Sequence, residues 1–344
     1  MSLHVELTGY PGPDAESGVP FEADPRSLWR VSQHPVPLQL SDVPTRAKTG
    51  FRGGKKAGQK ALAARSELLA ELQELLWAHV LAAPESERQA VVEAIAERAS
   101  ADDDAEESRR SQLFPSKVEK AIEGIERGPR LLLVLQGMDA SGKGGTVSSV
   151  VGAMDPLGVS VAAFGKPTPA QLRRHYLERI IARLPSPGHV GVFDRSHYED
   201  VLVPAVAGTH SEDVLAERVE TLQMFERELV RRGFVIVKVM LHISAEEQLE
   251  RLLARLDRPH KQWKYDPSDA DARAEFATFQ TVYASLIEAT DTDYAPWHVV
   301  GADRKWYSRL AVQELLIAAL GDLNLTWPAA DYDVEQERRR LMQA

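Results

Sequence analysis

Five short apolar runs punctuate the chain after residue 128, at residues 131–136, 159–164, 190–194, 234–242 and 297–301. Each has the length of a buried strand and is set off by Gly, Pro or charged residues. Helix-period segments fill the gaps between them, so the strands must pair in parallel and the fold class is α/β. Helix starts are well marked: Thr168-Pro169 opens one, Ser211 opens another that ends before Gly233, and Ser244 with Glu247 has the spacing of a capping box.

Upstream, Leu62, Leu68, Leu69, Leu72, Leu75, Leu76 and Val80 form the stripe of an amphipathic helix over residues 61–80, expected to pack on the α/β body. A second helix is predicted over 86–99 and a short one over 116–126, with the acidic run 102–107 as an exposed loop between them. Residues 1–45 hold seven of the twenty prolines and no helical period, which predicts an irregular arm on the surface or partly mobile. Residues 45–60 carry Arg46, Lys48, Arg52, Lys55, Lys56 and Lys60 among small residues: a solvated linker, or a segment that helps to bind a polyanion. The expected division is an arm (1–45), a helical extension (46–127), an α/β domain (128–325) with a lid at about 251–275, and a tail (326–344).

The first strand candidate runs into Gly137-Met138-Asp139-Ala140-Ser141-Gly142-Lys143-Gly144-Gly145-Thr146, a Gly-x-x-x-x-Gly-Lys loop followed by a helix-compatible segment. Glycines let such a loop turn its N–H groups inward, Lys143 adds a mobile positive charge, and the helix contributes its positive end, all suited to an oligophosphate. A standard loop of this kind follows its lysine with Ser or Thr, whose hydroxyl binds magnesium; here Gly144 stands there and cannot coordinate anything. Asp139 inside the loop is equally unusual, because a carboxylate beside phosphate oxygens needs a cation to reverse the local electrostatics. Asp139 is therefore assigned to Mg²⁺, or to an acceptor phosphate reached through it.

The third apolar run ends in Asp194-Arg195-Ser196-His197-Tyr198-Glu199-Asp200. In a parallel sheet the strand carboxyl ends lie beside the phosphate loop, so Asp194 can reach the same metal and Arg195 can offer bidentate contacts to phosphate. His197 fits either a satisfied structural histidine or a catalytic one. A third cluster, Arg251, Arg255, Arg258, His260, Lys261 and Lys264, starts on a helix and passes Pro259 into an expected loop. A mobile basic segment of this kind can close over a transferring phosphoryl group as an arginine finger. Trp263 within it is expected to pack rather than to stack on a base.

At 344 residues the chain has sequence enough for one large domain and an accessory region. It contains no cysteine, which rules out disulfides, thiol nucleophiles and zinc-thiolate sites. A net charge of −10 argues against nucleic acid as a partner, while leaving room for a focused basic groove that captures another polyanion. No segment has the apolar length of a membrane span and no signal pattern opens the chain, so no membrane partner is expected and the protein is read as cytoplasmic.

With these motifs on the page, the sequence resembles the polyphosphate kinase 2 family. That family's Gly-x-Asp-x-x-Gly-Lys-x-Gly loop is matched by Gly137, Asp139, Gly142, Lys143 and Gly145, its Asp-Arg-Ser segment by Asp194, Arg195 and Ser196, and its lid pattern by Arg251, Arg255, Arg258, Lys261, Trp263 and Lys264. The resemblance covers roughly residues 40–320 by element order. It implies a thymidylate-kinase-like, three-layer α/β/α P-loop fold with a five-stranded parallel sheet and a helical lid, joined here to an N-terminal helical extension. It implies Mg²⁺-dependent, reversible transfer of phosphate from inorganic polyphosphate to ADP, with AMP as a further acceptor, ATP as product, and assembly as a homodimer or tetramer. The segment His197-Tyr198-Glu199-Asp200 looks like the branch that also accepts AMP.

The implied catalytic residues are Asp139, Lys143, Asp194, Arg195, Arg255 and Arg258, with Asp139 and Asp194 holding metal. The implied phosphate contacts are Gly137, Ala140, Ser141, Gly142, Lys143, Gly144, Gly145 and Thr146 in the loop and Arg251, Lys261 and Lys264 in the lid. Residues 82–125 and the Pro-rich arm depart from the family pattern. Two rivals stand beside this reading: an ATP-dependent small-molecule kinase of the same fold, which should keep a hydroxyl after Lys143, and a non-catalytic nucleotide-binding regulator, which has no use for so basic a lid.

Overall fold

The computed structural model describes residues 20–99 and 103–344. Strands β1 (Arg130–Gln136), β2 (Val159–Ala163), β3 (Val190–Asp194), β4 (Phe234–His242) and β5 (Trp297–Gly301) form one sheet in the order β2-β3-β1-β4-β5, parallel throughout. Every residue of β1, β4 and β5 is buried, so both faces of the sheet are covered, as continuous apolar runs require. The helices Lys55–Ala82, Lys143–Val150 and Lys305–Gly321 pack together in one layer, and Glu199–Val206, Glu212–Arg231 and Phe276–Thr290 in another. The expected three-layer α/β fold is therefore present. β1 lies between β3 and β4, and a loop leaving its carboxyl end opens at the switch point of the sheet, where ligands of such folds bind.

Several expectations need correction. The segment over 20–45 is not a surface arm: Phe21, Trp29, Leu38, Leu40 and Val43 are buried in the main core. Trp29 donates from its indole to Tyr307 Oη (2.9 Å), its carbonyl accepts from Val299 N (2.8 Å), and Arg30 bridges His298. The outer edge of β5 is thus covered by chain rather than left to pair with a neighbour. Residues 1–19 lie outside the described residues.

The acidic run is not a loop, since Asp103–Leu113 is helical; Asp102 lies outside the described residues. Its Arg109 pairs with Glu220, and Arg110 reaches Glu228 (3.6 Å), so this helix is pinned to Glu212–Arg231. The 61–80 helix is longer than predicted and starts at Lys55, which places Lys55, Lys56 and Lys60 on an exposed helical surface rather than in a linker. Half of the capping box at Ser244 is present. Ser244 Oγ accepts from Glu247 N (3.2 Å), but the Glu247 carboxylate turns to Arg251 and Ser244 N donates to Asp303 instead (3.0 Å).

Candidate active site

The loop after β1 is shaped by backbone that few residues tolerate. Gly137 has φ 143°, and a Cβ there would meet the Leu241 carbonyl oxygen at 2.7 Å, so only glycine fits. Gly142 caps the helix Lys143–Val150, whose first amides, on Lys143, Gly144 and Gly145, have no carbonyl ahead of them and point at the loop. Not every predicted phosphate contact is free to serve. Ser141 N donates to Met138 O (3.1 Å) and Thr146 N to Gly142 O (2.9 Å), so these two amides hold the loop's shape.

Above this cradle the charged residues converge. Lys143 is buried and its Nζ donates to Gly137 O (2.5 Å) and Met138 O (3.3 Å); burial lowers its pKa, against the pull of Asp139, Asp194 and Glu199. Asp139 accepts from Arg195 Nη2 (2.5 Å). Burial works to raise the Asp139 pKa, but Lys143, Arg195 and Arg255 outweigh it and hold the carboxyl below its ordinary value. Asp194 ends β3 opposite Leu135, the penultimate residue of β1, and among the described residues its carboxylate has no hydrogen-bond partner. The cluster therefore presents oxygen donors only, from Asp139 and Asp194. That set suits a hard ion which completes its shell with water and substrate phosphate; no cage of three or more His, Cys, Asp or Glu exists among the described residues.

Arg195 sits in left-handed backbone (φ 63°), a conformation that an L-residue holds only when its surroundings enforce it. Burial disfavours its charge, and Asp139 together with Glu199 more than restores it. Glu199, overlooked in the sequence, is the second wall of this arginine: its carboxylate is 3.7 Å from Arg195 Nη1. It also accepts from the Gln136 side-chain amide (3.0 Å). Burial raises its pKa. The available signal was a carboxylate four residues after an arginine at a helix start. His197 takes the structural role: it is buried with Nε2 3.1 Å from Glu226 Oε1, while its Nδ1 finds no partner among the described residues.

The segment expected to form a lid comprises the end of Ala245–Leu256, a 3₁₀ turn at Pro259–Lys264 where a loop was expected, and Ser268–Ala274. It does not act as one unit. Arg251 is not an available phosphate ligand: it is buried, and its guanidinium donates to Glu247 Oε1 (2.8 Å), Ala140 O (3.0 Å), Ser141 O (2.9 Å), Ala302 O (2.7 Å) and Asp303 O (3.0 Å). It clamps the phosphate loop to the end of β5. Arg255 reaches Asp269 (3.3 Å) and its charge is felt at Asp139, so it belongs to the cluster. Arg258 and Lys264 are exposed and are not brought to the loop, and Trp263 is 77% exposed instead of packed, with the Lys264 ammonium over its ring.

Two features flank the loop. On the β2–β3 side opens a cavity of about 900 Å³, with Phe164, Lys166, Tyr176, Arg179, Arg195 and Glu199 in its wall. On the other side Arg309 lies against Gly145, whose Cβ would meet the guanidinium at 2.8 Å. Burial, with Arg251, Lys261 and Arg309 nearby, holds the Lys305 ammonium below its ordinary pKa, and burial with Arg251 does the same to Arg309. Lys305 and Arg309 were missed in the sequence, although basic residues four apart at the start of a helix following a strand were there to be read.

Known proteins resemble this chain in sequence and in fold. An AMP/ADP-polyphosphate phosphotransferase of Meiothermus ruber is 35% identical over 280 residues, 81% of this chain and 87% of that protein. An ADP-polyphosphate phosphotransferase of Rhodopseudomonas palustris is 32% identical over 228 residues, 62% of this chain and 77% of that protein. The crystal structure of polyphosphate kinase 2 from Arthrobacter aurescens superposes with a TM-score of 0.77 at 40% identity, covering 95% of this chain and 99% of that one. The sequence profile described as polyphosphate kinase 2 matches residues 98–326, two thirds of the chain, and by that match the chain belongs to the polyphosphate kinase 2 family.

Proposed function

We propose that this chain transfers the terminal phosphate of inorganic polyphosphate to ADP, and also to AMP, reversibly and without a phosphoenzyme. The observation that carries the reading is the asymmetry around Lys143, which has a cavity roomy enough for a nucleotide on one side and a cationic cluster of Lys305 and Arg309 against Gly145 on the other. The names of the relatives support the same pair of substrates. Nucleotide enters the cavity beside Arg195, and the polyphosphate chain approaches over Lys305 and Arg309.

An oxygen of the acceptor's terminal phosphate attacks the terminal phosphorus of the chain, the bond to the next bridging oxygen breaks, and the shortened polyphosphate leaves. The attacking oxygen is already anionic, so no general base is needed. Lys143 and the amides of Lys143, Gly144 and Gly145 hold the transferring group, Arg195 orients the acceptor, and Arg255 balances charge as the lid closes. Asp139 and Asp194 would hold Mg²⁺, which supplies charge neutralisation between the phosphates. For Asp139 that means exchanging its hold on Arg195, which frees the guanidinium for phosphate. Arg258, Lys261 and Lys264 serve only with the lid closed, which brings Arg258 in as a second finger.

The same reading keeps the domain limits at 128–325 for transfer and 46–127 for the extension, a cytoplasmic setting, and a homodimer or tetramer, which sedimentation would count. Among the described residues no helix is long and apolar enough to cross a membrane. The test is donor-side kinetics. Lys305→Gln and Arg309→Gln should raise the KM for polyphosphate severalfold and flatten its salt dependence, leaving the KM for ADP unchanged. ATP should be a poor replacement donor to AMP. Rapid AMP phosphorylation from ATP with indifference to polyphosphate would overturn the reading.

A further inference from the structure

Directly beneath Arg195 lies a buried polar cluster that no step of the reaction uses. Glu226, from Glu212–Arg231, and Lys238, from β4, are both fully buried. Lys238 Nζ donates to Glu226 Oε2 (2.6 Å), Thr290 O (2.8 Å) and Tyr198 Oη (3.0 Å). Tyr198 Oη donates to Glu226 Oε1 (2.7 Å), and His197 Nε2 sits 3.1 Å from the same oxygen. A buried ion pair is weak support for stability, since an apolar pair of similar volume often does as well, so its presence asks for another reason.

The reason lies in the chain direction. His197 and Tyr198 are two of the three residues between Arg195, held in left-handed backbone, and Glu199, which walls its guanidinium. Ser196, next to Arg195, is likewise buried and donates to the Gln136 amide oxygen (3.1 Å). Three consecutive side chains are thus nailed into the core at the point where Arg195 must leave it. We propose that Glu226 is a positioning residue for Arg195: by gathering His197, Tyr198 and Lys238 it fixes the turn from which the arginine reaches Asp139 and the phosphates. This rests on the transfer reaction proposed above only for Arg195's role as a phosphate ligand.

The experiment compares Glu226→Leu/Lys238→Met, which removes the pair while filling the core, with Tyr198→Phe, which removes one bond and keeps the ring. Each is made in the wild-type chain and in Arg195→Lys, and binding of inorganic triphosphate with Mg²⁺ is measured by calorimetry beside thermal melting. In the wild-type background the double variant should bind triphosphate at least tenfold more weakly and Tyr198→Phe about threefold more weakly, with melting temperatures near the parent's. In the Arg195→Lys background both effects should shrink below twofold, because a residue that acts through Arg195 has nothing left to position. Equal losses in both backgrounds, no loss in either, or losses that track unfolding would overturn the proposal; if the double variant does not fold, Tyr198→Phe alone decides. Triphosphate binding is independent of turnover, so a wild-type chain that binds but makes no ATP would sink the transfer reaction and leave this inference standing.

Discussion

Replacing Arg251 by lysine separates a loop clamp from a phosphate ligand. The guanidinium serves four carbonyls, of Ala140, Ser141, Ala302 and Asp303, at 2.7–3.0 Å, and one carboxylate of Glu247 at 2.8 Å. Lysine keeps the charge but offers three donors from one point, and it cannot span two carbonyls of the phosphate loop and two beyond β5. Two charge-assisted bonds to buried carbonyls are lost, at roughly 1.5–3 kcal/mol each, which makes about 3–6 kcal/mol in all. An unfolding entropy of about 2.1 cal/mol/K per residue over 344 residues gives roughly 0.7 kcal/mol/K, so the melting temperature should fall by about 4–8 °C. Calorimetric melting without any phosphate present reads this directly. Unchanged melting with a large loss of triphosphate affinity would refute the clamp and return Arg251 to the phosphate ligands.

Other outcomes follow from the same geometry. Asp139→Asn and Asp194→Asn should each lower turnover by at least roughly a hundredfold with the fold retained, as circular dichroism would verify; near-normal rates in either would remove that residue from the metal site. Arg255→Lys should lose roughly 2–4 kcal/mol of transition-state stabilisation with melting unchanged, and Arg258→Lys should do the same if lid closure brings it in; steady-state kinetics would demote either arginine that keeps wild-type rates. His298, buried in β5, has its pKa pushed down from 6.5 to about 4 by burial. A base whose folded pKa is depressed leaves stability intact above pH 6.5 and loses it as pH falls toward 4, by about 3 kcal/mol for a shift of this size. Urea unfolding of His298→Gln should therefore show a shallower acid limb than the parent, and an identical limb would contradict the assignment.

The sheet was readable because its strands are buried on both faces, so their apolar runs are unbroken. All five strands fall within one residue of expectation at both ends, and β3, β4 and β5 match at both. The phosphate loop was readable because its geometry demands particular residues, glycine at 137 above all. The segment over 20–45 was misread because Phe21, Trp29, Leu38 and Leu40 are spaced by contacts to distant partners rather than by any local period. The charge run entering Asp103–Leu113 looked like loop because its helix is held by ion pairs to Glu212–Arg231, which no local pattern reveals. Charge type alone could not separate Arg251 from Arg255: one helical turn apart, the first faces carbonyls and the second a carboxylate cluster. Trp263 was expected to pack because large aromatics usually do, and its exposure is a property of the lid's tertiary placement.

The central claim is direct passage of phosphate from an inorganic chain to a nucleotide. Purified protein incubated with Mg²⁺, uniformly ³²P-labelled long-chain polyphosphate and unlabelled ADP should yield ATP labelled in its terminal phosphate, with no label on the protein and an initial rate at least roughly a hundredfold lower from the Asp194→Asn variant. Unlabelled nucleotide after long incubation, or label trapped on the chain itself, would contradict the account.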